Sequence, residues 1–181
     1  MAIVKNIAKK LTLILITAHF CNLCSGNVFK ILPTGEYHYP SKHFKQVNEE
    51  LKSSCQEISY ADNYYVGLDF LSFKKQVHAF HKLTANYVPQ SNRESFDCDN
   101  IAFLYKTLVA STTLVAKTNY EPLIGVAFVR QENKAMGLSN IGLVHAVNII
   151  YTSQGWYMLE PQTGLFMSLQ KYPNKILKLI F

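Results

Sequence analysis

Apolar residues recur three or four positions apart in three stretches of this chain, the spacing that gathers them on one face of an α-helix. The clearest stretch opens at Cys98, where Ile101, Leu104, Tyr105, Leu108 and Val109 share a face. Ser95 or Asp97 can cap its first turn, which acidic residues crowd. Phe44, Val47 and Leu51 predict a helix within residues 41–53, and Phe73, Val77, Phe80 and Leu83 or Thr84 predict another over 70–83. Residues 60–70 are aromatic and irregular, and Asn86-Tyr87-Val88-Pro89 ends the second helix. Val28 to Leu32 reads as a short strand closed by Pro33-Thr34-Gly35.

Beyond residue 122 the period changes. Leu123 to Val129 is almost continuously apolar, as a strand buried on both faces is. A polar loop follows over 131–142, then a β-branched strand from Val144 to Tyr151. Thr152-Ser153-Gln154-Gly155 turns the chain, and Trp156 to Pro161 returns as the second arm of a hairpin. Pairing Tyr151 with Trp156 across a four-residue loop places His145, Val147, Glu160 and Gln162 on one face, because side chains alternate along a strand. Glu160 then lies on the diagonal from His145, at about 7–8 Å between Cα atoms. A slip of one residue would separate them. Ile176 to Phe181 is expected as a last strand packing on the sheet, with Lys171 to Lys178 as a solvated face. Trp156 and Tyr157 are read as core residues. The whole predicts an α+β fold, a central helix packed on an antiparallel sheet.

Residues 1–26 read as a signal peptide. Lys5, Lys9 and Lys10 form a basic front, residues 11–18 an apolar run, and Cys24-Ser25-Gly26 the small residues of a cleavage site. That run is too short to span a bilayer comfortably, so cleavage is expected rather than stable membrane insertion. The product is then secreted or periplasmic. All twelve Asp and Glu follow residue 26, and three of the eighteen Lys and Arg precede it, so the mature chain carries 15 − 12 = +3 rather than +6. With no basic stripe, this excess argues against a nucleic-acid partner. Residues 27–181 make one domain of ordinary size, mainly helical over 27–95, with the central helix and the sheet over 96–181.

Two cysteines survive cleavage, Cys55 and Cys98. In an exported protein a disulfide between them is the default, and it defines one reading: a non-enzymatic, bridged binding module presenting its many Tyr and Phe residues. Their surroundings differ, however. Cys55 follows an ordinary amphipathic segment, whereas Cys98 sits in a helix's first turn, where the macrodipole and unpaired N–H groups favour a thiolate. With His145 as base and Glu160, or alternatively Gln162, as orienter, Cys98 completes a nucleophile–base–orienter set. Its own N–H and a side-chain amide from Gln90 or Asn92 are the oxyanion candidates. Such a set predicts a thiol hydrolase that forms an acyl-enzyme on a peptide or protein substrate. Asp97 and Asp99 oppose it, since nearby carboxylates raise a thiol pKa. Either they cap the helix, or they bind a hard cation such as calcium, or Cys98 is not a nucleophile. No other cofactor is called for. His78 and His81 lack a third ligand nearby in sequence and read as surface histidines.

Phe96-Asp97-Cys98-Asp99-Asn100 opening a helix, His145-Ala146-Val147-Asn148 in a strand, and Trp156 leading to Glu160-Pro161-Gln162-Thr163 carry a resemblance. As an ordered set they resemble the papain-like cysteine protease domain at the C-terminus of a mushroom agglutinin. The likeness covers residues 96–166. It implies a papain-like fold, a Cys98–His145–Glu160 triad, and calcium as a candidate cofactor. The sugar-binding repeat domain of that protein is lacking, so lectin activity does not carry over. Cell-wall peptidases of the NlpC/P60 type are also similar through Asp97-Cys98 and the strand histidine, but Asp99-Asn100 stands where that family has Ser-Gly. Papain and transglutaminase-like folds share the same order of residues. Proteolysis, cell-wall cleavage, and transamidation or deamidation by an effector therefore all stay open.

Overall fold

The computed structural model describes residues 32–33, 35–84, 97–116, 120–138 and 141–181. The signal segment, most of the 28–32 strand, and Gln90, Asn92 and Ser95 lie outside the described residues. In chain order the elements are β1 (Tyr37–His43), α1 (Phe44–Leu51), β2 (Cys55–Ser59), β3 (Tyr64–Leu68), α2 (Phe70–Thr84) and α3 (Cys98–Ala116). After them come β4 (Glu121–Pro122), β5 (Ile124–Arg130), β6 (Val144–Thr152), β7 (Gly155–Glu160), β8 (Leu165–Ser168), a short 3-10 turn and β9 (Lys175–Ile180). The segment read as mainly helical thus also holds three strands. No helix among the described residues is long and apolar enough to cross a membrane.

The strands form one sheet in the order β1-β3-β6-β5-β9-β2, with β4 beside β3 and the β7–β8 arms beside β6. The α+β class holds, but the sheet is mixed rather than antiparallel. β1–β3, β5–β6, β5–β9, β6–β7 and β7–β8 pair antiparallel, whereas β2–β9, β3–β4 and β3–β6 run parallel. The parallel pairs arise because strands from the first half of the chain join a sheet built by the second half. β3 falls in the stretch expected to be irregular. Its Tyr65-Val66-Gly67-Leu68 run is buried throughout, so no alternation announced it. Gly67 is required there: a Cβ would lie 2.8 Å from the Tyr151 ring that crosses it.

β5 is apolar on both faces because both are covered. Val126 and Phe128 pack with Ala102 of α3 and Ala146 of β6. Ala127 and Val129 face the larger core, with Val47 and Leu51 of α1 and Val147, Ile149, Met158 and Leu179. Phe80 of α2 meets Tyr105 of α3 edge-on at 4.9 Å. Trp156 is half-buried, packing on Tyr151 and Phe181 while its Nε1 donates to Glu50 at 2.9 Å.

The hairpin has the expected register. Tyr151 pairs with Trp156 and Asn148 with Leu159. Its loop is tighter than expected: Thr152 pairs with Gly155, leaving a two-residue turn of Ser153 and Gln154. Thr152 Oγ1 closes it by donating to the Gly155 carbonyl at 3.0 Å and accepting from the Gln154 N–H at 3.1 Å. The turn is shorter by one pair and the register is unchanged, so the faces assigned to His145 and Glu160 stand.

Candidate functional site

α3 starts as its sequence asks. Asp97 caps it, with its carbonyl accepting from Ile101 N–H at 3.2 Å and its carboxylate accepting from Asn100 Nδ2 at 2.8 Å. Asp99 hydrogen-bonds the Asp97 carboxylate, which holds the Asp97 carboxyl below its ordinary pKa and the Asp99 carboxyl above it. This is the capping arrangement, with the two carboxyl groups joined by a hydrogen bond. Among the described residues, no three His, Cys, Asp or Glu side chains gather as a metal-holding group.

Cys98 opens α3 and packs beside Ala102, Val126 and Ala146. His145 is the second residue of β6, paired with Val129 of β5. Its Nε2 meets Glu160 Oε2 at 2.5 Å, with the glutamate fully buried and the histidine side chain 14 % exposed. Cys98 is the ring's second partner. Burial pushes the imidazole pKa down. The hydrogen bonds to Cys98 and Glu160, with their charges, outweigh that and raise it to about 9. At neutral pH the site therefore holds an imidazolium between a sulfur and a carboxylate.

The three residues expected to form the set are thus brought together. Gln162 serves otherwise than expected: its backbone N–H, not its side-chain amide, donates to Glu160 Oε1 at 2.9 Å. The same turn is closed by Gly164 N–H on the Glu160 carbonyl at 2.9 Å. Gly164 has φ +69°, and a Cβ there would meet the His81 ring at 3.1 Å. His81 accordingly packs on the turn that holds Glu160, while His78 is exposed. Cys55 is half-buried, its Sγ on the Leu51 carbonyl at 3.5 Å, and burial pushes its thiol pKa up. Both cysteines are free, which corrects the disulfide of the bridged-module reading.

Asn148 was not expected to matter. It lies fully buried under α3, donating from Nδ2 to the Ala102 carbonyl at 2.9 Å and the Gly125 carbonyl at 3.2 Å. It ties the thiol-bearing helix to the strand that carries His145. One signal for it existed: a lone amide on the helix-facing parity of a β-branched strand is buried, and a buried amide needs partners. Asn148→Leu is expected to cost about 1–3 kcal/mol by chemical denaturation and to slow alkylation of Cys98 but not of Cys55. Equal rates in variant and parent would show that Asn148 does not set the helix's position.

The fold is therefore an α+β domain with a thiol–imidazole–carboxylate cluster at the mouth of a helix. Two solved structures share it. One is the PSL1a–E64 complex, with a TM-score of 0.56, 20 % identity, and coverage of 78 % of this chain and 50 % of that one. The other is Polyporus squamosus lectin bound to the human-type influenza-binding epitope Neu5Acα2-6Galβ1-4GlcNAc, with a TM-score of 0.55, 19 % identity, and coverage of 78 % and 49 %. The chain thus spans about half the length of these structures. No protein-family profile and no curated protein matches the chain.

These neighbours bear out the mushroom-agglutinin part of the resemblance and correct its protease part. The expectation of a cysteine protease, or of a related thiol acyl-transfer hydrolase, is overturned by the likeness to Polyporus squamosus lectin, whose structure holds a glycan epitope. The cell-wall peptidase and transamidase readings rested on the same enzymatic premise and fall with it. A peptide substrate likewise has no support among them.

Proposed function

We propose that the chain is an exported, non-enzymatic binding module whose ligand-capturing centre is the Cys98–His145–Glu160 cluster. One observation carries this reading: the His145 imidazole bonds the fully buried Glu160 carboxylate at 2.5 Å, with the helix-mouth Cys98 thiol as its second partner. The layout, a thiol-bearing helix against a sheet that supplies imidazole and carboxylate, is papain-like in this reading. The lectin neighbours favour a glycan as the partner class. The neighbour complexed with E64, a thiol-directed epoxide, favours a centre open to electrophiles. In such a capture the sulfur attacks an epoxide carbon as its thiolate, an S–C bond forms and a C–O bond breaks. His145 passes its proton to the resulting alkoxide, and the adduct stays on Cys98.

Mass spectrometry after E64 or iodoacetamide treatment tests this. Cys98 is expected to be alkylated ahead of Cys55, and His145→Ala to slow that reaction roughly 10²-fold. Equal labelling of the two thiols, or indifference to His145→Ala, would overturn the proposed centre.

A further inference from the structure

The loop that follows Glu160 is held by a second turn from elsewhere in the chain. β7 ends at Glu160 and β8 begins at its pair, Leu165, so residues 161–164 form the connecting loop. Two bonds fold that loop back on Glu160: Gly164 N–H donates to its carbonyl and Gln162 N–H to its Oε1, each at 2.9 Å. The carboxylate is therefore placed by the loop's own backbone, and a loop that moves takes the carboxylate with it. Thr163 supplies the outside tie. Its Oγ1 accepts from Leu165 N–H at 3.2 Å and donates to the Met136 carbonyl at 2.9 Å, on the connection between β5 and β6.

That carbonyl sits in an uncommon backbone. Ala135 and Leu138 pair across a two-residue turn, closed by Leu138 N–H on the Ala135 carbonyl at 2.9 Å. Both central residues have positive φ, +48° at Met136 and +82° at Gly137. Such turns favour Asn, Asp or Gly at the first central position, and a residue with a long side chain is rarely found there. The strained conformation persists where its surroundings over-determine it. Here the Met136 side chain is buried in the larger core, which anchors the turn. Gly137 lets the loop come close, since a Cβ there would lie 3.3 Å from both Thr163 Cγ2 and Leu165 Cδ1.

We infer that the Thr163 hydroxyl, seated on the strained Met136–Gly137 turn, is a positioning group for the thiol centre: it fixes the 161–164 loop and so aims the Glu160 carboxylate at His145. The inference rests on the Cys98–His145–Glu160 centre proposed above and adds what holds its carboxylate in place. Thr163 acts through Glu160, and Met136 acts through Thr163.

Thr163→Val on the full chain removes the hydroxyl and keeps the shape. The most that one lost hydrogen bond can pass to the site is its own net worth, a factor of roughly 2–10. Iodoacetamide alkylation of Cys98 is therefore expected to slow roughly 2- to 10-fold, with Cys55 unchanged. The NMR titration midpoint of the His145 imidazole should fall by up to about one pH unit, because a looser carboxylate favours the charged ring less. Thr163→Ser, which restores the hydroxyl, should return both readings to the parent values. Gly137→Ala, which presses a Cβ on Thr163 and strains the turn, should move both in the same direction as Thr163→Val. General loss of stability would leave the native-state midpoint where it was. An unchanged midpoint and rate in Thr163→Val, or a change that Thr163→Ser fails to reverse, would overturn the positioning role; so would a Gly137→Ala protein that behaves as the parent. Selective labelling of Cys98 in the parent is decided by His145→Ala, so the centre and its support fail separately.

Discussion

Glu160→Ala is expected to destabilise the protein by about 3–5 kcal/mol, the usual cost of removing one partner from a buried ion pair. Glu160 is fully buried, and its two oxygens are taken by His145 Nε2 and by Gln162 N–H. Without it, a histidine in a largely buried position loses one of the two groups, Cys98 and Glu160, that raise its pKa. The pair also fixes how stability depends on pH. The folded-state pKa of His145, about 9, lies above its ordinary 6.5. Its contribution is therefore complete below about pH 6.5 and is lost as pH rises through about 9. A shift of that size corresponds to roughly 3 kcal/mol, or roughly 5–10 °C in melting temperature for a domain of this length. Thermal unfolding measured from pH 6 to pH 9.5 should show that fall in the parent and a much flatter curve in Glu160→Ala. Glu160→Gln, which keeps a hydrogen bond and loses the charge, should lie between. A parent curve without the fall would mean that His145 is neutral in the fold.

Leu179→Ala is the second large effect, about 2–5 kcal/mol by the combined loss of buried surface and the cavity left behind. Leu179 is fully buried in β9, paired with Ala127 on one side and with Ile58 on the other. It therefore touches both the best-packed strand of the sheet and a strand from the first half of the chain. Urea unfolding measures the loss. A change below about 1 kcal/mol would show that β9 is peripheral despite its position.

That position was only partly legible. Ile176 to Phe181 was recognisable as a strand, but its apolar alternation says nothing of how many neighbours it has. Only its two ladders, to β5 and to β2, place it inside the sheet. Lys175 and Lys178, read as a solvated face, are the outward positions of that strand, and Lys178 pairs with Glu57 across it. The helices and the β6–β7 register were legible because period and turn chemistry are local. The closeness of His145 and Glu160 followed from that register alone. β1, β2 and β3 were not legible, because these strands are short, aromatic or uniformly buried and their partners lie up to 121 positions away. For the site, Cys98 and His145 could be paired by residue type and element, but the work of Asn148 and of the Gln162 backbone depends on packing. Chemistry was also read too far. A thiol, an imidazole and a carboxylate in order suggested an enzyme, whereas one structure sharing this fold is that of Polyporus squamosus lectin.

The parallel ladder between β2 and β9 joins Cys55 to Ile176 and Ser59 to Ile180. A ribosome making this chain would release β2 long before its neighbour exists, so that strand must wait with an unsatisfied border. Assembly should then be slow and governed by closure of that long loop. During synthesis, the waiting edge is where a chaperone or a second nascent copy would attach first.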